Sequence, residues 1–67
     1  ETIIINDFLM LDENFNEISI FNTSGKKVVE LENIFESKID ISNLSKGVYF
    51  HKVRNKINNR TIKILKI

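Results

Sequence analysis

The sequence predicts an all-β domain, a small antiparallel sandwich of two sheets built from about seven short strands. Apolar and polar residues alternate with a period of two in several short runs, which is typical of half-buried strands. Turn-forming Asn, Ser and Gly separate these runs. The chain is rich in isoleucine and contains no alanine, and no window fits a helical pattern better than a strand pattern. We therefore expect no helix longer than one turn.

Length and composition indicate a single domain. The chain has 67 residues, and a domain of that size buries only roughly 60% of its unfolded surface. Hydrophobic residues, at 42%, must form the core unaided, because there is no cysteine for a disulfide or a thiolate metal site. No apolar run approaches the roughly 20 residues needed to span a membrane. Since Glu1 is not an initiator methionine, we expect residues 1–67 to be the C-terminal domain of a longer protein, with residues 1–6 as a linker remnant or a first strand.

Four strands are predicted in the first half of the chain. Between the third and the fourth, the sequence NTSG predicts a hairpin turn in which Gly25 takes a positive φ. In the strand that follows, we expect Val28 and Val29 to lie on opposite faces. The four predicted strands are Thr2–Ile5, Phe8–Leu11, Phe15–Asn22 and Lys26–Glu32, and the alternative for the first two is a single kinked strand.

Three more strands are predicted in the second half. Phe35, in the polar connection before them, is predicted to plug the core. The middle strand should place Tyr49 and His51 on one face. The turn after it, NKINN, has no glycine, so Asn58 and Asn59 are predicted to adopt left-handed conformations. The three predicted strands are Lys38–Ile41, Val48–Arg54 and Arg60–Ile67.

The segment IDISNLSKGVYF predicts a corner between two strands. Leu44 is apolar within a polar loop and should fold inward over the end of the sandwich, while Gly47 gives the backbone freedom to re-enter the sheet. The Tyr49 hydroxyl is expected to donate to a loop carbonyl near Ser42 or Asn43, as in the tyrosine corner of Ig-like sandwiches. The predicted sandwich is therefore Ig-like.

Charged residues are sorted along the chain. Residues 1–40 hold all nine acidic and three of the ten basic side chains, a net charge of −6, while residues 41–67 hold seven basic and no acidic ones, a net charge of +7. Two interpretations remain open. The late basic strands pair with the early acidic ones across a sheet, or they form a basic edge for an acidic partner or nucleic acid. Nucleic acid is disfavoured, because no surface aromatic platform is evident.

The residues indicate no catalytic chemistry. His51 is the only histidine, and no cysteine or activated serine accompanies it. Asp12 and Glu13 could form half of a calcium or acid/base site, but neighbouring side chains usually point apart. No glycine-rich phosphate loop is present. We predict a domain that is not an enzyme and that uses no cofactor, metal or small-molecule substrate.

Four short sequence motifs follow one another along the chain. They are D-x-L-x-l, then v-x-i-y-n-x-x-G-x-x-v, then i-d-l-s-x-L-x-x-G-x-Y, and a closing strand of lysine and aliphatic residues. The matching residues are Asp7, Leu9 and Leu11; Ile18, Ile20, Phe21, Asn22, Gly25 and Val28; Ile39, Asp40, Ile41, Ser42, Leu44, Gly47 and Tyr49; and Lys63, Ile64 and Leu65. Together these motifs, over about residues 7–67, resemble the type A C-terminal sorting domain of the bacterial type IX (Por) secretion system.

The chain departs from the family pattern at two places. The family usually carries a Tyr-Pro-Asn-Pro-like segment just before the aspartate, whereas this chain has Ile3, Ile4, Ile5 and Asn6 there and contains no proline. His51 stands where an aliphatic residue is usual.

The resemblance implies an export signal attached to an upstream cargo. Such domains carry the cargo from the periplasm through an outer-membrane translocon, work with a shuttle protein, and are commonly removed by a sortase-like cysteine protease, after which the cargo is anchored at the surface or released. It also implies that the C-terminal hairpin, residues 47–67, contacts this machinery. The alternative for Lys63 and Lys66 is that they are solvated lysines on an edge strand that prevent aggregation. The candidate recognition residues are Lys52, Arg54, Arg60, Lys63 and Lys66.

The alternative function is a non-catalytic Ig-like module that binds carbohydrate or protein as an accessory to a secreted enzyme or adhesin. Such a module needs exposed aromatic side chains clustered on one face. The candidates are Phe21, Phe35 and Tyr49, which do not form a convincing row in the sequence.

Overall fold

The computed structural model describes residues 2–12, 14–33 and 36–67. Seven strands in two sheets, and no helix, are found in these ranges, which confirms the all-β class. In the same ranges, no helix is long and apolar enough to cross a membrane. Phe35, the predicted plug, and Glu13 lie outside the described residues. The strands are β1 (Thr2–Ile5), β2 (Phe8–Met10), β3 (Glu17–Asn22), β4 (Lys27–Leu31), β5 (Lys38–Asp40), β6 (Gly47–Arg54) and β7 (Asn59–Lys66).

The large sheet contains five strands in the order β1-β7-β6-β3-β4. The neighbouring strands β7 and β6, β6 and β3, and β3 and β4 are antiparallel, but β1 runs parallel to β7. In this parallel pair, Thr2 lies opposite Lys63 and Ile5 lies opposite Lys66. The expectation of a purely antiparallel sheet is therefore wrong at this pair. Parallel neighbours need a long connection, and here nearly the whole chain connects them. Because β7 lies between β1 and β6, the interpretation of Lys63 and Lys66 as edge-strand residues is also wrong.

The small sheet pairs β2 with β5 in antiparallel orientation. Leu9 lies opposite Ile39, and both side chains are buried. A hydrogen bond of 2.8 Å from the Ile41 amide to the Asp7 carbonyl extends the pairing. Two sheets of five and two strands around one apolar cluster are consistent with the predicted small β-sandwich.

Aliphatic side chains, mostly isoleucine, form the core between the two sheets. Ile20 of β3 and Ile64 of β7 are completely inaccessible to solvent. Both lie in the interior of long strands, where alternate residues face the same side of the sheet. The remaining buried apolar residues are Leu9, Ile18, Ile39, Ile41, Tyr49 and Val53.

His51 lies in the same core layer. Its side chain is 3% exposed and is in register between Ile20 of β3 and Ile62 of β7. Tyr49 is buried on the same face, as predicted. Burial lowers the pKa of His51 from 6.5 to about 4, because an apolar environment disfavours the charged imidazolium. Its Nε2 has no hydrogen-bond partner among the described residues, so the domain holds a neutral imidazole whose second nitrogen is unsatisfied.

A β-bulge interrupts the alternation of β4. Ile20 pairs with Val29, but the next residue, Phe21, pairs with Lys27, so Val28 is an extra residue in the ladder. As a result, Val28 and Val29 both pack against the core. The prediction that they lie on opposite faces is wrong.

The turn between β6 and β7 is built by an asparagine side chain. The Asn55 Oδ1 atom accepts hydrogen bonds from the amides of Ile57 at 2.8 Å and Asn58 at 2.7 Å. Among the described residues, Asn33 is the one non-glycine residue with a positive φ. The left-handed conformations predicted for Asn58 and Asn59 are therefore wrong, since an Asx turn reverses the chain in their place.

Candidate functional site

The hairpin turn between β3 and β4 depends on Asn22 and Gly25. The Asn22 Oδ1 atom accepts hydrogen bonds from the amides of Ser24 at 3.0 Å and Lys26 at 2.9 Å. Gly25 has a φ of 85° and donates its amide to the Asn22 carbonyl at 3.0 Å. A residue with a Cβ atom is strained at that φ. The predicted positive φ at Gly25 is confirmed, and both residues act in making the turn.

Asp40 begins the corner between β5 and β6. Its Oδ1 atom accepts a hydrogen bond of 2.8 Å from the Ser42 amide, an Asx turn at the exit of the strand. The Ser42 hydroxyl and amide hold the pKa of the Asp40 carboxyl below its ordinary value, and the nearby charge of Lys66 acts in the same direction. The carboxylate therefore stays ionised and keeps capping the corner.

Leu44 and Gly47 return the chain to the large sheet. The Leu44 amide donates to the Ile41 carbonyl at 3.0 Å, and its half-buried side chain packs against the core, so the predicted inward fold is confirmed. Gly47 has a φ of 145°, which confirms the need for glycine at the entry to β6.

Tyr49 closes the corner. Its side chain is buried, and its hydroxyl donates to the Ser45 carbonyl at 2.7 Å, with the Ser45 hydroxyl 3.3 Å away. The expected bond to a loop carbonyl is present, but the acceptor is Ser45 rather than Ser42 or Asn43. Ser45 lies two residues before the first residue of β6, within reach of a side chain that leaves the strand near its start, whereas Ser42 lies three residues further back.

Most of the predicted recognition residues lie on the outer face of the large sheet, meaning the side turned away from the core. Lys52, Arg54 and Lys63 alternate with the buried residues of β6 and β7, so their side chains project outward. Lys52 lies opposite Ser19 of β3, and Lys63 lies opposite Phe50 of β6. The structure therefore brings three of the five residues onto one surface.

Arg54 forms an ion pair with Glu17 across β6 and β3. The Arg54 Nε lies 3.0 Å from Glu17 Oε2, and its Nη2 lies 3.3 Å from Oε1. These hydrogen bonds lower the pKa of Glu17 and raise the pKa of Arg54. The pair supports the interpretation that late basic strands pair with early acidic ones, although an exposed pair of this kind contributes little stability.

Lys66 and Arg60 lie away from the outer face. Lys66 is only 5% exposed, because the alternation that buries Ile64 also turns Lys66 inward. Its Nζ atom approaches the Ile67 carbonyl at 3.5 Å. The solvent exposure predicted for Lys66 is therefore wrong. The Arg60 guanidinium lies 5.7 Å from the centroid of the Phe15 ring, a cation–π contact at the end of the sheet.

A family model described as secretion system C-terminal sorting domain matches residues 2–67, and thus includes β1 and both signature turns. The chain belongs to this family of type IX secretion sorting domains. It is therefore part of an exported protein and takes part in type IX secretion, and its family is not known to be catalytic. No curated protein matches the sorting domain.

Phe50 of the sorting domain was not predicted from the sequence as an exposed aromatic residue. Phe50 is 38% exposed and lies directly opposite Phe21 on the outer face. The signal was present in the alternation of β6, since a buried Tyr49 requires an outward Phe50. The proposal of Tyr49 as an exposed aromatic residue is wrong, and Phe35 lies outside the described residues.

Replacing Tyr49 by phenylalanine tests the corner of the sorting domain. We expect Tyr49→Phe to lower the free energy of unfolding by about 1 kcal/mol, because it removes the bond to the Ser45 carbonyl and keeps the ring. Urea unfolding of both proteins measures the difference. Ser45→Ala is the matched control, since it removes only the longer contact to the hydroxyl and should change stability less. A Tyr49→Phe domain with the midpoint of the parent would contradict the assignment.

Proposed function

We propose that this sorting domain is the signal that directs an attached upstream cargo through the type IX translocon and across the outer membrane. The observation that carries the proposal is the family match over residues 2–67. The structure supports it in one respect. The signature residues Asn22, Gly25, Asp40 and Tyr49 all make turn or corner contacts, so the motif describes a folded signal rather than a reactive centre.

In this proposal the domain is not an enzyme and acts only by being recognised. The cargo passes from the periplasm to the cell surface or the medium with the help of a shuttle protein, and a sortase-like cysteine protease removes the domain by cutting in or before its first residues. β1 lies at the edge of the large sheet, held by β7 alone among the described strands. The segment at which we place the cut thus lies at one of the two edges of the sheet, the other edge being β4.

We propose that the basic residues of the C-terminal hairpin, β6 and β7, contact the machinery. Lys52, Arg54 and Lys63 support this assignment because they share one exposed face, and Arg60 lies at the end of the same hairpin. We leave Lys66 out of the contact set, because its buried side chain is not available to a partner.

Export of a reporter tests the proposed function. We expect a periplasmic reporter fused in front of residue 1 to appear outside the cell in a strain with an intact type IX system and to stay in the periplasm of a strain that lacks the translocon. Fractionation and immunoblotting measure the exported share. A reporter retained in the periplasm of the intact strain, although the fused domain is folded, would overturn the proposal.

The test also needs a suitable loss-of-signal variant. Deleting residues 63–67 removes half of β7, which pairs with both β1 and β6, so loss of export would then report loss of the fold as well as loss of the signal. Substitutions of exposed residues that leave the sheet intact separate the two.

An accessory module that binds carbohydrate is the second candidate function. The adjacent rings of Phe21 and Phe50 favour it, because exposed aromatic pairs are common on binding faces. Binding of the isolated domain on a glycan array, together with failure of reporter export, would favour this alternative over the sorting signal.

A further inference from the structure

We propose that the outer face of the large sheet, centred on Phe50, docks on a protein surface of the export machinery that presents an apolar strip bordered by carboxylates. The inference rests on the proposed function and adds the face used and the chemistry of the partner. It follows from how the residues of this face are arranged in register.

One row of side chains crosses all five strands of the outer face. Phe21 of β3 lies opposite Phe50 of β6, so two aromatic rings occupy the centre of the row. A lysine lies on each side of them, Lys27 opposite Phe21 and Lys63 opposite Phe50, and Thr2 of β1 ends the row. An apolar centre bordered by cations is thus built into the strand register.

A second row, entirely aliphatic, lies next to the first. Val48 of β6, Leu65 of β7 and Ile4 of β1 are in register with one another. Val48 and Leu65 are half-buried between their neighbours, and Ile4 is 64% exposed. Together with Phe21 and Phe50, these residues form an apolar strip on a face whose other outward side chains are polar or charged.

The charged side chains next to the apolar strip, on β1, β6 and β7, are all positive. On the described strands β6, β7 and β1, the outward positions carry lysine and arginine but no carboxylate. The carboxylates of the face lie further along, on β3 and β4, where Glu17 pairs with Arg54 and Glu30 pairs with Lys27. Lys52 and Lys63 form no ion pair with any described residue, so their charges are available to a partner.

An open groove of about 380 Å³ runs beside Phe21 between these groups. Its charged lining is mixed, because Glu17, Glu30 and Glu32 border it together with Lys27, Lys52, Arg54 and Arg60. Glu30 and Glu17 already pair with Lys27 and Arg54, so a partner carboxylate that entered the groove beside Phe21 would meet the ammonium group of Lys52, which forms no ion pair with any described residue.

The arrangement disfavours other partners. The ammonium groups of Lys27 and Lys52 lie 5.7 and 5.8 Å from the centroid of the Phe21 ring, so they cover the face of the Phe21 ring on which a sugar or a base would stack. The half-buried Val48 and Leu65 lie level with the sheet and do not project as membrane-inserting side chains do. A second copy related by a two-fold axis through the row of Phe21 and Phe50 would place lysines against lysines. A flat protein surface with carboxylates around an apolar centre fits best.

Export of the full chain with its cargo tests the proposal. We expect Lys52→Glu/Lys63→Glu, and separately Phe50→Ser, to reduce the exported share by about tenfold. The matched control is Lys26→Glu/Lys46→Glu, which makes the same change of net charge at two exposed loop residues outside this face and should export like the parent. Thermal unfolding of each domain shows which variants are folded, and only folded variants are compared.

The outcomes separate this inference from the function on which it rests. If the parent is not exported by an intact system, the proposed function fails. If the parent and the folded outer-face variants are exported equally, the function stands and the docking face is wrong. Equal loss in the control would also overturn the proposal, since net charge rather than this face would then decide export.

Photo-crosslinking in cells identifies the class of partner. With a benzophenone side chain at position 50, we expect a protein adduct that maps to an apolar segment bordered by aspartate or glutamate and that disappears when Lys52→Glu/Lys63→Glu is added. A benzophenone at Met10, 68% exposed on the small sheet, is the control position. If the purified domain instead binds anionic phosphatidylglycerol vesicles in a charge-dependent way and no such adduct forms, the proposal of a protein partner is overturned in favour of a membrane.

Discussion

Acidification from pH 7 to pH 5 is expected to lower the free energy of unfolding of the sorting domain by about 2 kcal/mol through His51 alone. The unfolded chain binds a proton at His51 near pH 6.5, whereas burial holds the folded-state pKa at about 4. Between these values the unfolded state carries more protons than the folded state, so stability falls as the pH falls. Well above pH 6.5 the imidazole is neutral in both states and the effect vanishes.

Urea unfolding at a series of pH values measures this slope. The control is His51→Leu, which places an aliphatic side chain in the layer between Ile20 and Ile62 and removes both the titration and the unsatisfied Nε2. The free energy of unfolding of this variant should not change between pH 7 and pH 5. The carboxyls of Glu17 and Asp40, whose pKa values are lowered in the fold, lose their contribution only at lower pH. A parent domain that is equally stable at pH 7 and pH 5 would contradict the burial of a neutral His51.

Replacing Ile64 by alanine is expected to cost about 2–5 kcal/mol, because Ile64 is completely buried in a strand that pairs on both sides. For 67 residues, a total stability of roughly 3–10 kcal/mol is typical. We therefore expect much of the Ile64→Ala population to be unfolded at 37 °C. Thermal unfolding followed by circular dichroism measures the change.

The same substitution at an exposed isoleucine gives the control. Ile57, in the β6–β7 turn, is 88% exposed, so Ile57→Ala should change stability by no more than about 0.5 kcal/mol. Similar melting temperatures for Ile57→Ala and Ile64→Ala would show that β7 does not pack in the core as described.

The strands, the turn at Gly25 and the corner before β6 could be predicted from the sequence because local chemistry determines them. Gly25 and Gly47 are the residues that tolerate a positive φ, and the alternation around Tyr49 shows which side of β6 is buried. The hydroxyl of Tyr49 could be directed towards the loop for the same reason, although the choice of Ser45 as acceptor depends on the three-dimensional path of the corner.

The features that could not be predicted involve residues far apart in the chain. The parallel pairing of β1 with β7 cannot be recognised from any local sequence pattern. Before this pairing is known, Lys66 looks like a lysine on an edge strand. The bulge at Val28 is likewise set by the partner strand. For the candidate site, the basic residues were identified from the sequence, but the row that joins Phe21 and Phe50 exists only once the strand register is known. The proposed docking face could therefore be found only once the fold was known.

The parallel pairing of β1 and β7 determines how the domain resists a pulling force. Thr2 lies beside Lys63 and Ile5 beside Lys66, so the start of β1 and the end of β7 lie at opposite ends of the shared ladder. A cargo that drags on the start of β1 while the end of β7 is gripped loads all the hydrogen bonds of the pair together, in shear. An antiparallel pair pulled from adjacent ends opens one bond at a time. The parallel orientation of β1 and β7 thus gives a domain of few residues a mechanically firm attachment for the cargo that we propose precedes residue 1.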